Sequence, residues 1–223
     1  MEFRVAEEVL KLGIKVIAIT IKDMKNTLEN NDFNRYKLDT LKELRKNLSQ
    51  TCIENDPSLN SFWQLHECIG KIDKQDPPSP VNLLTTILTT EGLPNINLIV
   101  DIYNVISAKT KLSIGAHDMR KINGTVALKI IEGSEIFLPI DYSNEKVVNK
   151  GEYAYIDEEN DVLCRMDIKQ SEKTKVTEDT TDCLYIIQGT EYTDVEKIEE
   201  TAKELIDLTT KYCGGRAQII YKS

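Results

Sequence analysis

The chain has 223 residues, 40% of them hydrophobic, which is enough to bury a core without metal or disulfide staples. A formal net charge of -9 disfavours tight, unspecific nucleic-acid binding, which rests on phosphate electrostatics, and confines any RNA contact to one face or to low affinity. Cys52, Cys68, Cys164, Cys183 and Cys213 are odd in number and form no CxxC pair, which argues against a disulfide framework or a zinc site. No metal or cofactor is expected. The N-terminal stretch carries Glu2, Glu7 and Glu8 and lacks a signal peptide's apolar region, and no run approaches a membrane span of about 20 residues, so the expected location is cytoplasmic.

In chain order, Phe3 to Leu12 is short and amphipathic, and Lys15 to Ile21 (KVIAITI) is a strand by its β-branched pattern. Asn30 to Cys52 reads as one helix with a solvated Lys/Glu/Arg face. Leu59 to Ile72 reads as another, with Trp63 and His66 at its core edge. KQDPPSP, from Lys74 to Pro80, breaks the pattern and opens a helix over Val81 to Thr90, which stops near Gly92 and Pro94. Leu98 to Ala108 is apolar almost all round and must be buried. Yet Asn97, Asp101 and Asn104 fall at i, i+4 and i+7, one polar stripe that either is hydrogen-bonded internally or lines a cavity. The next segment, Gly115-Ala116-His117-Asp118, is read as a loop presenting one of two histidines in the chain.

Beyond it the pattern shortens. Val126 to Ile131, Glu135 to Ile140, Tyr153 to Ile156, Val162 to Met166 and Leu184 to Ile187 are strand-like, with glycine or asparagine between them, as in a meandering antiparallel sheet. Asp167 to Asp182 is polar and reads as a long functional or mobile loop. Asp194 to Cys213 is an amphipathic helix stopped by Gly214-Gly215, and Arg216 to Tyr221 is a closing strand.

The sequence contains no GxGxxG, Walker loop, HExxH or GxSxG. The candidate groups are therefore Asn97, Asp101, Asn104, His117, Asp118, Arg165 and the polar loop. Arg165, at a strand end, could hold a carboxylate or phosphate bidentately, or pair with a surface acid.

The stretch NINLIVDIYNVISAKTKLSIGAHD resembles the segment that opens the B3/B4 editing domain of the phenylalanyl-tRNA synthetase beta subunit. Ile99-Val100-Asp101-Ile102 and Asn104 match its V-V-D-(I/V)-T-N, with Tyr103 in the threonine's place, and Gly115-Ala116-His117-Asp118 stands where H-A-F-D should be. Val176-Thr177-Glu178 with Thr180 resembles a later V-T-x-x-T segment, so the likeness runs from about Pro94 to Gln188. It implies an α+β fold with a central, largely antiparallel sheet and helices packed on it. One B3/B4-like domain is expected over residues 1–223, with an N-terminal portion at 1–93 and the editing-like core at 94–223. The departures are specific. The family's histidine position holds Gly115, its acidic position near the last strand holds Ile186 with Gln188 next on that face, and its glycine-rich loop is replaced by Cys164-Arg165-Met166-Asp167-Ile168-Lys169.

The resemblance implies hydrolysis of mischarged aminoacyl-tRNA by a free-standing protein. Here His117 and Asp118 would be catalytic, and Asn97, Asp101, Asn104, Arg165 and Gln188 would hold substrate. Lys169, Lys173 and Lys175 would contact RNA. The alternative is a non-catalytic module of the same fold that binds tRNA or an amino acid, and whether the chain is an enzyme is open at this stage.

Overall fold

The run Lys15–Lys22 (β2) lies at the centre of the molecule because both of its faces are buried. In the computed structural model, which describes residues 1–71, 75–90 and 92–223, Ile17, Ile19 and Ile21 pack toward helices while Val16 and Ala18 pack toward a second sheet. A strand buried on both sides reads as a continuous apolar run rather than an alternating one.

The chain begins with strand β1 (Phe3–Val5) and one helical turn, α1 (Glu7–Leu10), which divide the expected amphipathic segment between them. After β2 come α2 (Asn31–Lys46), α3 (Gln50–Glu54), α4 (Pro57–Cys68), α5 (Ser79–Thr90) and α6 (Leu98–Thr110). The single helix expected over Asn30 to Cys52 is thus two. Asn47 closes the first, and the Ser49 side chain accepts from Cys52 N at 3.1 Å to start the second, the local competition that makes both residue types poor helix interiors. The end of the next expected helix at Ile72, and Lys74 at the start of KQDPPSP, lie outside the described residues.

The second half supplies β3 (Ser113–Asp118), β4 (Val126–Ile130), β5 (Tyr153–Ile156), β6 (Val162–Arg165), β7 (Lys169–Gln170), β8 (Cys183–Gly189), α7 (Val195–Cys213) and β9 (Arg216–Lys222). There are two sheets among the described residues. One is a four-stranded antiparallel sheet in the order β3-β8-β2-β9, and the other a five-stranded sheet in the order β1-β4-β5-β6-β7, antiparallel except for β1 against β4. Helices α2, α6 and α7 cover one face of the four-stranded sheet, and the five-stranded sheet covers the other. The α+β reading holds, with one expected sheet resolved into two stacked ones.

One sequence expectation fails here and another is refined. Glu135 to Ile140 makes only isolated bridges, at Ile136 and Pro139. Pro139 has no N–H for a ladder, and the Glu135 carboxylate turns back to accept from Glu132 N and Gly133 N at 3.0 and 2.8 Å. The polar segment after Asp167 is no free loop. It contains β7, and Ser171, Thr174 and Thr180 are buried, because it closes the space beside β3.

Candidate functional site

A cavity of about 220 Å³ lies where β3, β8 and the β6–β7 turn meet α5 and α6. Drug-sized ligands occupy roughly 300–1,000 Å³, so this space suits a smaller group. Strand alternation supplies one wall. Ile114 and Ala116 of β3 pack toward the helices, and Ser113, Gly115 and His117 face the cavity. Gly115 matters for its missing side chain, since a Cβ there would collide with the Gln170 amide, another lining group.

His117 is a buried strand residue, 1% exposed, rather than the expected loop histidine. Six ladder positions from Ser113↔Gln188 to Asp118↔Cys183 fix it. Its Nδ1 lies 2.9 Å from Thr174 Oγ1, and Nε2 is on the Gly115 side of the ring, 4.0 Å from where a Cβ at that glycine would sit. Burial pushes its pKa down to about 4, so the ring is neutral at pH 7.

This has a consequence for stability. An unfolded histidine titrates near 6.5. Between about pH 4 and that value the unfolded chain binds a proton that the folded one refuses, so stability rises with pH. The contribution is fully present above the unfolded pKa and is lost as pH falls through the folded one, on the order of 3 kcal/mol in all. Chemical denaturation at pH 7 and pH 4 should show a smaller acid loss for His117→Gln than for the parent; equal losses would refute the assignment.

Below the cavity runs a chain of buried polar groups. Tyr155 donates to Gln188 Oε1 at 2.5 Å, Gln188 Nε2 to Tyr153 Oη at 3.1 Å, and Tyr153 to Asp167 Oδ1 at 2.5 Å. His66 Nε2 of α4 lies 2.8 Å from the same Asp167 oxygen. Burial raises both tyrosines well above the ordinary phenol value, so they remain hydroxyl donors. Asp167, Gln188 and Tyr155 line the cavity. Burial likewise pushes the lining Cys164 thiol far up, leaving it a thiol that donates to Met166 O at 3.3 Å. A thiolate nucleophile is thereby disfavoured.

Of the expected site residues, the structure brings Asn104, His117, Lys169 and Gln188 to this cavity. The polar stripe of the central helix divides. Asn97 is the N-cap of α6, where its Oδ1 accepts from Val100 N at 3.1 Å and from Asn26 Nδ2 at 3.0 Å. Asp101 accepts from Ile96 N at 3.0 Å and pairs with buried Lys37 at 3.2 Å, while Lys37 also donates to Pro94 O and Asn95 Oδ1 at 2.9 and 2.8 Å. Both are engaged here and neither lines the cavity, because a buried helix start must satisfy its free N–H groups and its lead-in. Asp118 stands apart from the cavity too. It accepts from Arg120 N at 3.0 Å, binds the Arg120 guanidinium at 2.7 Å and accepts from Thr180 at 2.9 Å. Burial works to raise its pKa, and these hydrogen bonds outweigh it, holding the carboxyl below the usual range.

The cations are also mostly engaged. Arg165 makes a two-pronged contact with Glu152 at 2.7 and 2.8 Å and reaches Asp76 at 3.4 Å, so it pairs with acids and does not line the cavity. Lys173 pairs with Asp157 and Asp161, and Lys175 with Glu172. Lys169 lines the cavity, its ammonium 5.9 Å from the Tyr142 ring centre. Sequence reading missed Asp167, Tyr153 and Tyr155 as site groups. The acid inside Cys164–Lys169 was the available signal, but its partner His66 is 101 residues away in sequence. Among the described residues no group of three His, Cys, Asp or Glu side chains is arranged to hold a metal ion, and no helix is long and apolar enough to cross a membrane.

Comparison with known proteins adds three findings. Residues 66–214 match the model of the B3/4 domain family. The chain is 30% identical over 100 residues to the phenylalanine–tRNA ligase beta subunit of Archaeoglobus fulgidus, covering 36% of this chain and 18% of that one. It is 32% identical over 109 residues to the same subunit of Methanococcus vannielii, covering 40% and 20%. The matches thus span about a fifth of these relatives' length. An N-terminal fragment of the phenylalanyl-tRNA synthetase beta subunit from Pyrococcus horikoshii shares the fold, with a TM-score of 0.53 at 17% identity, over 97% of this chain and 50% of that one.

Proposed function

Because the chain belongs to the B3/4 domain family, we propose that its cavity takes the aminoacyl end of a mischarged tRNA and hydrolyses the ester in trans. The observation that carries this reading is the neutral imidazole of His117 in the wall of a cavity sized for a small group. In the proposed step His117 Nε2 takes a proton from a water as the water oxygen bonds to the ester carbonyl carbon. The carbon–ribose oxygen bond then breaks, and the proton passes to the departing ribose oxygen, which leaves as the hydroxyl. An imidazole with a pKa near 4 is a weak base, but an aminoacyl ester is already activated, so positioning does much of the work. Asn104 and Gln188 supply amide groups that orient the carbonyl and the side chain. Release of amino acid from a panel of mischarged tRNAs, including tyrosine on the phenylalanine tRNA, tests the reading. Retention of every ester, with amino acids or tRNA still bound, would replace it with a non-catalytic binding module.

In this reading tRNA contact is weak and centres on Lys169, since the other expected cations are matched by acids. Lys169→Glu should weaken tRNA binding and lower the salt slope by about one phosphate contact. Lys173→Glu and Lys175→Glu should each do less. The same slope in all three variants and the parent would remove this face from the proposal.

A further inference from the structure

Asp167 is 2% exposed, and its two oxygens are not equivalent. Oδ1 is shared by Tyr153 and His66, whereas Oδ2 has no hydrogen-bond partner. A buried acceptor left unmet is costly and calls for a donor from elsewhere. Asp167 is among the residues around the cavity and its side chain is 0% exposed, so a ligand in the cavity that displaces the wall locally is the nearest source. The donor chain that runs from Tyr155 through Gln188 and Tyr153 ends on this carboxylate and holds it in place.

We propose that Asp167 is the anchor for a primary ammonium group on the ligand, so that the cavity selects aminoacyl groups with a free α-amine. The supporting chemistry is the charge pattern of the lining. Among the described residues Asp167 is its one acid and Lys169, two residues further on, its one lysine or arginine. His117 is neutral, and burial keeps Tyr103, Tyr155 and Cys164 protonated. An aminoacyl-tRNA end has the matching pattern, an ammonium on the acyl group and phosphate beyond the ribose. A charge-assisted bond to Oδ2 favours ammonium over a neutral hydroxyl. The inference rests on the aminoacyl reading of the cavity given above, but it concerns recognition and not hydrolysis.

The test uses the full chain and calorimetry with L-phenylalaninamide, L-tyrosinamide and their N-acetyl forms, beside deacylation of aminoacyl-tRNA and N-acetylaminoacyl-tRNA. N-acetylation should weaken binding about 10- to 100-fold and slow deacylation by a similar factor, the scale of a hydrogen bond to a charged group. Asp167→Asn should remove that discrimination while melting stays cooperative. The comparison of free and acetylated amines in the parent needs no variant, so a misfolded Asp167→Asn leaves the question decidable. Equal binding of both tyrosine forms with none of phenylalaninamide would assign Oδ2 to a hydroxyl and overturn the inference. Failure of every amide to bind would overturn it as well. Discrimination without deacylation would sustain it and overturn the hydrolase reading; deacylation without discrimination would do the reverse.

Discussion

Replacing His117 by alanine is expected to lower deacylation by about 10²-fold or more, the usual scale for a positioned acid or base. The loss should appear in kcat, because in the proposed step His117 would act on the water while Asn104, Gln188 and Asp167 would hold the substrate. The parent's acid limb should sit near pH 4 in the free protein, well below that of an ordinary histidine, because burial lowers this pKa. Alanine also empties a buried position and strands Thr174 Oγ1, at a cost of about 1–3 kcal/mol, so melting must be followed beside activity. His117→Gln separates the two effects by keeping volume and polarity without a basic nitrogen. Undiminished turnover in both variants would end the catalytic assignment.

The largest stability effect is expected at Asp101. Removing this carboxylate leaves the Lys37 ammonium buried without its counter-charge, which costs about 3–5 kcal/mol. In a chain of this length that lowers the melting temperature on the order of 10 °C. Lys37 still has Pro94 O and Asn95 Oδ1, which cushion but do not neutralise it. Pairing Asp101→Leu with Lys37→Met should recover part of the loss, since it removes the unpaired charge while Ile96 N and Pro94 O still lose their partners. A melting temperature within a degree or two of the parent for Asp101→Ala alone would contradict the buried pair.

How much of this was legible in the sequence depended on whether the cause was local. The run KVIAITI, the central helix and the amphipathic C-terminal helix carry their periodicity in consecutive residues, and all three form as read. The stripe of Asn97, Asp101 and Asn104 was visible, but its meaning was not. Spacing places residues on a face, whereas Asn26 and Lys37, which engage the first two, come from 71 and 64 positions earlier in the chain. The segment at His117 shows the same limit. SIGAHD has a glycine and polar ends, so it looks like a loop, yet β8 lends it a partner for every residue. Asp167 was hidden for a related reason. An acid in a polar stretch reads as solvated until Tyr153 and His66 are seen to converge on it.

The place of β2 between two layers also bears on how the chain is made. Its neighbours in the sheet are β8 and β9, and the first of these contacts joins Ile21 to Cys183, so 162 residues separate the partners. At synthesis rates of about 5–20 residues per second, the apolar strand waits on the order of ten seconds or more for its ladder. During that interval both of its faces are open, and a β-branched run whose interior, Val16 to Ile21, holds no proline or charge is the kind of segment that pairs with copies of itself. The four-stranded sheet therefore cannot close until β8 and β9 have been made, and such long-range pairing slows folding. Charged substitutions on β2 would be read first as poor yield, before any change in the finished molecule.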